Sequence, residues 1–129
     1  MFNAKKMLTK ISKQMKAEKR ELTSAYIDAC SITKSGNVVQ LVVYNVKNIP
    51  NQTSTLLTIP EGLRPISDVT FDLIQPRGKN ASFNYFLRCT ARADGRLTVY
   101  NYSGAAISGS TNCAGSVTYI VETVGGGTA

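Results

Sequence analysis

The fold is decided by residues 25–46, which read AYIDACSITKSGNVVQLVVYNV. Within this stretch the runs 25–33 and 38–46 alternate with a period of two and are rich in β-branched and aromatic residues, as half-buried strands are. Between the runs, Gly36 and Asn37 tolerate the positive φ angles of a tight turn. We therefore predict an antiparallel hairpin at this point in the chain.

The strand pattern continues towards the C terminus, and helical periodicity is absent after about residue 24. Five further runs, separated by proline and glycine, are strand candidates: 53–59, 67–75, 81–91, 96–102 and 117–123. Asp94 and Gly95 mark a second tight hairpin. Seven short strands without crossover helices predict a mainly β fold, an antiparallel and jelly-roll-like β-sandwich over residues 24–124.

The segment before the strands has a different pattern. Apolar residues follow a heptad-like spacing of four, three, four and seven at Ala4, Leu8, Ile11, Met15 and Leu22. We predict that residues 1–23 form a short amphipathic helix, either a coiled-coil oligomerisation stalk with Leu8, Ile11, Met15 and Leu22 in its seam or a partner-binding arm. A terminal helix packed on its own domain, or a basic surface for nucleic acid or lipid, remain alternatives.

The positive charge belongs to that first segment. The chain has 129 residues and a formal net charge of +7, yet residues 1–22 hold seven basic and two acidic side chains. The remainder holds eight basic and six acidic side chains, a balance that gives nucleic acid little reason to bind the β region. Length and composition predict one compact domain, with residues 125–129 as a flexible glycine-rich tail.

Nothing in the sequence indicates a membrane span or secretion by a signal peptide, because no apolar run of sufficient length is present. Histidine is absent, which removes the commonest general base and metal ligand. Cys30, Cys89 and Cys113 are too widely spaced for a metal knuckle and are interpreted as small buried hydrophobes. A glycosidase pair of Asp68 and Asp72 is the enzymatic alternative, but acidic strand residues usually face water. We predict no enzymatic activity, no cofactor and no metal.

Tyrosines and hydrogen-bonding side chains cluster in the later strands. Alternation places Tyr100 and Tyr102 on the face opposite to Val99 and Asn101. A tyrosine ring can pack on the apolar face of a sugar while Asn or Arg donates to its hydroxyls. The candidate glycan-binding residues are Tyr85, Arg88, Tyr100, Asn101 and Tyr102. The same side chains would suit a single-stranded nucleic acid, which the near-neutral charge disfavours.

Three short motifs occur in a fixed order along the β region. Residues 59–65 read IPEGLRP, residues 94–99 read DGRLTV, and residues 119–120 read YI. In this order they resemble the C-terminal head domains of bacteriophage tail fibres and receptor-binding baseplate proteins, over about residues 36–122. In the first motif the prolines stop strand pairing, and Arg64 can bond turn carbonyls, so we interpret Arg64 as structural.

The resemblance implies a homotrimeric β-sandwich head at a virion's tail tip, made in the host cytoplasm, that attaches noncatalytically to a host cell-surface saccharide. Other tail or baseplate proteins would then be its partners. The resemblance assigns no binding residues. The alternative function is a structural virion component, such as a capsid decoration or a baseplate or tail assembly protein, whose basic helix binds a partner or nucleic acid.

Overall fold

The computed structural model describes Lys5, residues 17–75 and residues 87–122. Lys5 has helical backbone geometry, and the two longer ranges contain nine β-strands. In chain order these are β1 (Glu18–Ser24), β2 (Ile27–Ser35), β3 (Val38–Ile49), β4 (Gln52–Thr58), β5 (Val69–Leu73), β6 (Leu87–Ala91), β7 (Arg96–Asn101), β8 (Ile107–Ser110) and β9 (Ala114–Ile120). Within the described residues, no helix has the length and apolar character needed to cross a membrane.

The strands form two antiparallel sheets that face each other. One sheet runs β1-β2-β3, with β8 and β9 both paired to β3, and the other runs β4-β7-β6-β5. We call them the five-stranded and the four-stranded sheet. On the edge opposite β2, β3 pairs with two strands because it bends at Asn45, which has a φ of 58°. The residues before the bend pair with β9, and those after it pair with β8. The predicted mainly β, antiparallel, sandwich-like fold is confirmed.

The core forms because the period-two pattern sorts side chains between the faces of each sheet. On β3, Val39, Leu41 and Val43 are fully buried, whereas Val38 and Val42 on the other face are exposed. Burying such an aliphatic side chain contributes roughly 1.5–3 kcal/mol. The cysteines are free and buried in this core, as predicted.

Both predicted hairpins are confirmed. β2 and β3 are paired from Ser35 opposite Val38, next to the turn, to Ile27 opposite Val46. Gly36 in the turn takes the left-handed conformation with a φ of 61°. Asn37 does not have a positive φ, so the turn uses only one of the two residues expected to tolerate it. Gly95, with a φ of 98°, forms the turn between β6 and β7.

The predicted helix over residues 1–23 is not confirmed, and its last part is corrected. Glu18–Ser24 forms β1, an edge strand paired with β2 in which Leu22 lies opposite Cys30. Leu22 is partly buried against the protein's own core instead of lining a helical seam. An antiparallel ladder with burial of a leucine outweighs the weak helix propensity of a short segment. The sheet domain therefore begins at Glu18, six residues before the predicted boundary at 24. Leu8, Ile11, Met15 and the tail 125–129 lie outside the described residues.

The other strand predictions differ mainly at their ends. β8, which has four residues, was not predicted, and β9 ends three residues before the predicted run 117–123 does. The run 81–91 is described only from Leu87. β8 pairs with β3 beyond the bend at Asn45, and no local pattern in so short a strand could indicate that pairing.

The two sides of the sandwich are joined differently. On one side, Ile74 and Ala114 exchange backbone hydrogen bonds of 2.8 and 2.9 Å and so link β5 to β9. On the other side, β1 and β4 are both edge strands, and the Ser24 hydroxyl donates to the Leu56 carbonyl over 2.5 Å. A groove of about 440 Å³ lies between these two edges.

Candidate functional site

The turn at residues 59–65 is where two of the sequence motifs meet. Arg64 Nε donates to the Ile59 carbonyl over 2.8 Å, so the structural role predicted for Arg64 is confirmed. The Arg64 side chain lies against Gly95, where an added Cβ would be 2.3 Å from Nε. The Ile59 amide also donates to the Gly95 carbonyl over 2.6 Å. The turn and the second hairpin therefore hold each other in place.

The third motif contacts the same turn. Tyr119 is buried, and its hydroxyl donates to the Leu63 carbonyl over 2.5 Å. The Ile66 amide, just after the turn, donates to the carbonyl of Ile120 over 3.1 Å. Burial raises the pKa of the Tyr119 hydroxyl, and the charge of Cys30 raises it further. These motif residues thus stabilise the fold. The exposed residues of the candidate site lie on another part of the surface.

The exposed face of the four-stranded sheet carries most of the predicted binding residues. Tyr100 on β7 lies opposite Arg88 on β6, which in turn lies opposite Asp72 on β5. The Tyr102 ring lies next to the Tyr100 ring, with 4.2 Å between centroids and 52° between planes. We call this set, Asp72, Arg88, Tyr100 and Tyr102, the tyrosine–arginine surface.

Strand alternation puts these side chains outside. On β7, Val99 points into the core while Tyr100 is 40% exposed, and Tyr102 beyond the strand is 56% exposed. On β6, Cys89 is buried while Arg88 is exposed. The tyrosines therefore offer two ring faces beside a guanidinium, which suits a ligand with an apolar face and polar edges.

Arg88 is held by its neighbours. Its Nε donates to Asp72 Oδ1 over 2.9 Å, and both side chains are more than half exposed. The pKa of Arg88 is raised, first by the hydrogen bond to Asp72, then by the Asp72 charge and by Tyr102. Arg88 is a cation held against the Asp72 carboxylate.

Asn101 is not part of this surface. Its side chain is buried and donates from Nδ2 to the Ala105 carbonyl over 2.8 Å, while Oδ1 accepts from the Ser103 amide over 2.9 Å. These bonds stabilise the turn after β7, so Asn101 supports the position of Tyr102 from below. Tyr85, the remaining predicted contact, lies outside the described residues.

Three arginines among the described residues have an acidic partner. Besides the Arg88 pair, Arg92 Nη1 lies 3.4 Å from Asp68 and Arg96 Nε lies 2.9 Å from Asp94. The ion pair of Asp72 with Arg88 was not predicted. Two charges on neighbouring strands attract each other only when the strand register places them side by side, and the sequence alone does not give that register. The signal available was their shared exposed face.

These pairs also bear on the enzymatic alternative. The two carboxylates of that alternative, Asp68 and Asp72, are each ion-paired with an arginine, Arg92 and Arg88 respectively. Among the described residues, no group of three or more Cys, Asp or Glu side chains is arranged to hold a metal ion.

Two hollows offer other places for a ligand. The groove between β1 and β4 is lined by Glu21, Tyr26 and Leu57 among others. A cavity of about 390 Å³ beside the 59–65 turn is lined by residues that include Arg64 and Glu122. The groove has an aromatic ring without an arginine, and the cavity has an arginine without a ring. The tyrosine–arginine surface combines both.

The sequence matches no protein-family model and has no significant match among curated proteins.

Proposed function

We propose that this protein is the noncatalytic head of a bacteriophage tail tip, from a tail fibre or baseplate, that attaches the virion to a host cell-surface glycan as a homotrimer. The observation that carries this proposal is the tyrosine–arginine surface, where two exposed rings lie beside a paired guanidinium on one sheet face. The order of the three sequence motifs supports the phage assignment.

The surface would bind a saccharide in two ways at once. The face of a pyranose packs on the Tyr100 or Tyr102 ring, and the free N–H groups of Arg88 donate to its hydroxyls. The site is shallow, so each copy binds weakly. Three copies at one tip raise the overall avidity through effective concentration, which makes a deep pocket unnecessary.

The opposite side of the sandwich supports the proposed trimer. Apolar side chains between 37 and 52% exposed share the outer face of the five-stranded sheet: Val38, Val42, Tyr44 and Ile120. Val38 and Ile120 lie directly opposite each other on β3 and β9. Gln40 separates the Val38–Ile120 pair from Val42 and Tyr44, so this face offers two exposed apolar groups for contact with another copy. Packing this face between copies leaves the tyrosine–arginine surface pointing outwards.

The proposal is tested by screening the full chain on an array of bacterial surface oligosaccharides. We expect Tyr100→Ala and Tyr102→Ala each to weaken binding about tenfold, the scale of one lost aromatic contact. Tyr26→Ala is the matched control, because Tyr26 is 39% exposed and lies in the turn between β1 and β2, away from this surface. Equal losses in all three variants, or no saccharide bound by the wild-type chain, would reject the proposal.

A structural virion component is the second candidate, and the basic first segment favours it. Residues 1–22 hold seven basic side chains, while Arg88, Arg92 and Arg96 are ion-paired. Affinity for nucleic acid or an acidic partner would therefore come from that segment. Titrating the full chain with single-stranded DNA at two salt concentrations tests this function, because phosphate contacts give binding that weakens steeply with salt.

A further inference from the structure

We propose that the ligand of the tyrosine–arginine surface is an uncharged saccharide, and that Asp72 is the residue that sets this specificity. The inference rests on the proposed function. It starts from the 2.9 Å contact of Arg88 Nε with Asp72 Oδ1 at the centre of the surface.

An unpaired arginine would select the opposite ligand. Guanidinium groups form strong paired hydrogen bonds with carboxylates and sulfates, so a free Arg88 beside the two tyrosines would favour acidic sugars. Asp72 already occupies one edge of the guanidinium and cancels its charge. An anionic group that approached Arg88 would also meet the Asp72 carboxylate, which is 66% exposed at the side chain.

Two neighbouring arginines are ion-paired as well. Arg92 is paired with Asp68 and Arg96 with Asp94. The three ion pairs carry no net charge, so they attract an approaching anion less than three unpaired arginines would.

The pair matches what a neutral sugar offers. Neighbouring hydroxyls on a sugar ring can each donate and accept a hydrogen bond. The Asp72 carboxylate accepts from one hydroxyl, and a remaining Arg88 N–H donates to the next. Tyr100, directly opposite Arg88, supplies the ring on which the sugar packs.

Asp72→Asn is the test variant. It removes the charge with little change of shape and frees Arg88, and exposed ion pairs of this kind contribute little to stability. Asp94→Asn is the matched control, because it removes the same charge at the far end of β7 from Tyr100. Binding of the full-length wild type and both variants is measured on immobilised lactose and on the same sugar carrying a terminal sialic acid or a sulfate.

We expect the wild type to prefer lactose, and Asp72→Asn to raise the ratio of acidic to neutral binding about tenfold, the scale of one charge-assisted hydrogen bond. Asp94→Asn should leave the ratio near its wild-type value. A wild-type preference for the acidic probes, or equal ratios in the two variants, would overturn the inference.

The outcomes also separate this inference from the proposed function. If the wild type binds neither this series nor any saccharide on the array while Asp72→Asn alone gains the sulfated probe, glycan attachment by the natural protein is rejected but the masking of Arg88 by Asp72 is supported. If neither the wild type nor Asp72→Asn binds any probe or any saccharide on the array, both proposals fail.

Discussion

At the scale of single residues, Gly95 links two segments that are far apart in sequence. Its φ of 98° is one that L side chains rarely adopt, and the Arg64 side chain occupies the space where a Cβ would be. The backbone conformation and the close approach each require glycine. Because Arg64 also bonds the Ile59 carbonyl, it cannot move away without losing that bond.

Gly95→Ala should therefore lower the free energy of unfolding by about 2–3 kcal/mol, since left-handed strain and overpacking add. Gly104→Ala is the control, because Gly104 has a φ of 86° with no atom within 4 Å of an added Cβ. That variant should lose only about 1 kcal/mol. Urea unfolding of the two variants measures the difference, and equal losses would mean that Arg64 yields freely.

Single residues also show where sequence reasoning ends. The bond from Arg64 to a turn carbonyl was predictable because both groups lie within one short turn. Alternation along β7 correctly separated inward Asn101 from outward Tyr100. The pairing of Asp72 with Arg88 depends on how β5 and β6 align, and that register is set by the whole sheet.

At the scale of secondary-structure elements, β1 is the clearest case of tertiary structure overriding a local pattern. The heptad spacing extended to Leu22 and predicted a helix, yet Leu22 lies in a strand opposite Cys30. A pattern read over three or four apolar positions cannot distinguish a helical seam from an edge strand when the partner strand is unknown. The first hairpin was placed correctly because its two strands have long alternating runs and are partners of each other, joined by a turn that the sequence marks.

This placement predicts how Leu22→Ala behaves. Loss of a partly buried leucine from the core should lower the free energy of unfolding by about 1–2 kcal/mol. Thr23→Ala, at the exposed neighbouring position, is the control and should change it little. Urea unfolding at two protein concentrations checks the prediction. A Leu22→Ala loss that appears only at low concentration would point to a subunit interface instead of the core.

At the scale of the whole molecule, the buried cysteine thiols and the buried Tyr119 hydroxyl make the stability of the fold sensitive to high pH. Burial raises the pKa of Cys30 to about 11 and raises the pKa of Cys89 as well. A thiol with a raised pKa in the folded state stabilises the fold below its unfolded pKa, about 9.0, and this stability is lost as the pH rises through the folded value. Tyr119 shifts in the same direction.

The free energy of unfolding, measured in urea, should therefore fall as the pH rises from 8 towards 11. The Cys30→Ala variant should be less stable at pH 8, but its free energy of unfolding should decline less steeply with pH. The variant lacks one of the thiols whose deprotonation destabilises the folded state. Ellman's reagent provides an independent check: the native thiols should react slowly at pH 8, and all three should react in guanidinium. A pH-independent stability over this range would contradict the burial argument.

The proposed trimer is a prediction about the complete assembly, and the corrected start of the sheet decides how it must be tested. Deleting residues 1–23 would remove all of β1 except Ser24, so a chain that begins at Glu18 is the shortest one that keeps every described strand. By light scattering, the full chain should have three times the monomer mass. The shortened chain lacks the predicted seam residues Leu8, Ile11 and Met15, and Ile120→Lys puts a charge on the exposed apolar face of the five-stranded sheet, so both should dissociate on dilution. Tyr102→Lys, on the opposite outer face, should remain trimeric. A full chain that is monomeric at every concentration would reject the trimer, and a trimer unaffected by either change would place the interface elsewhere.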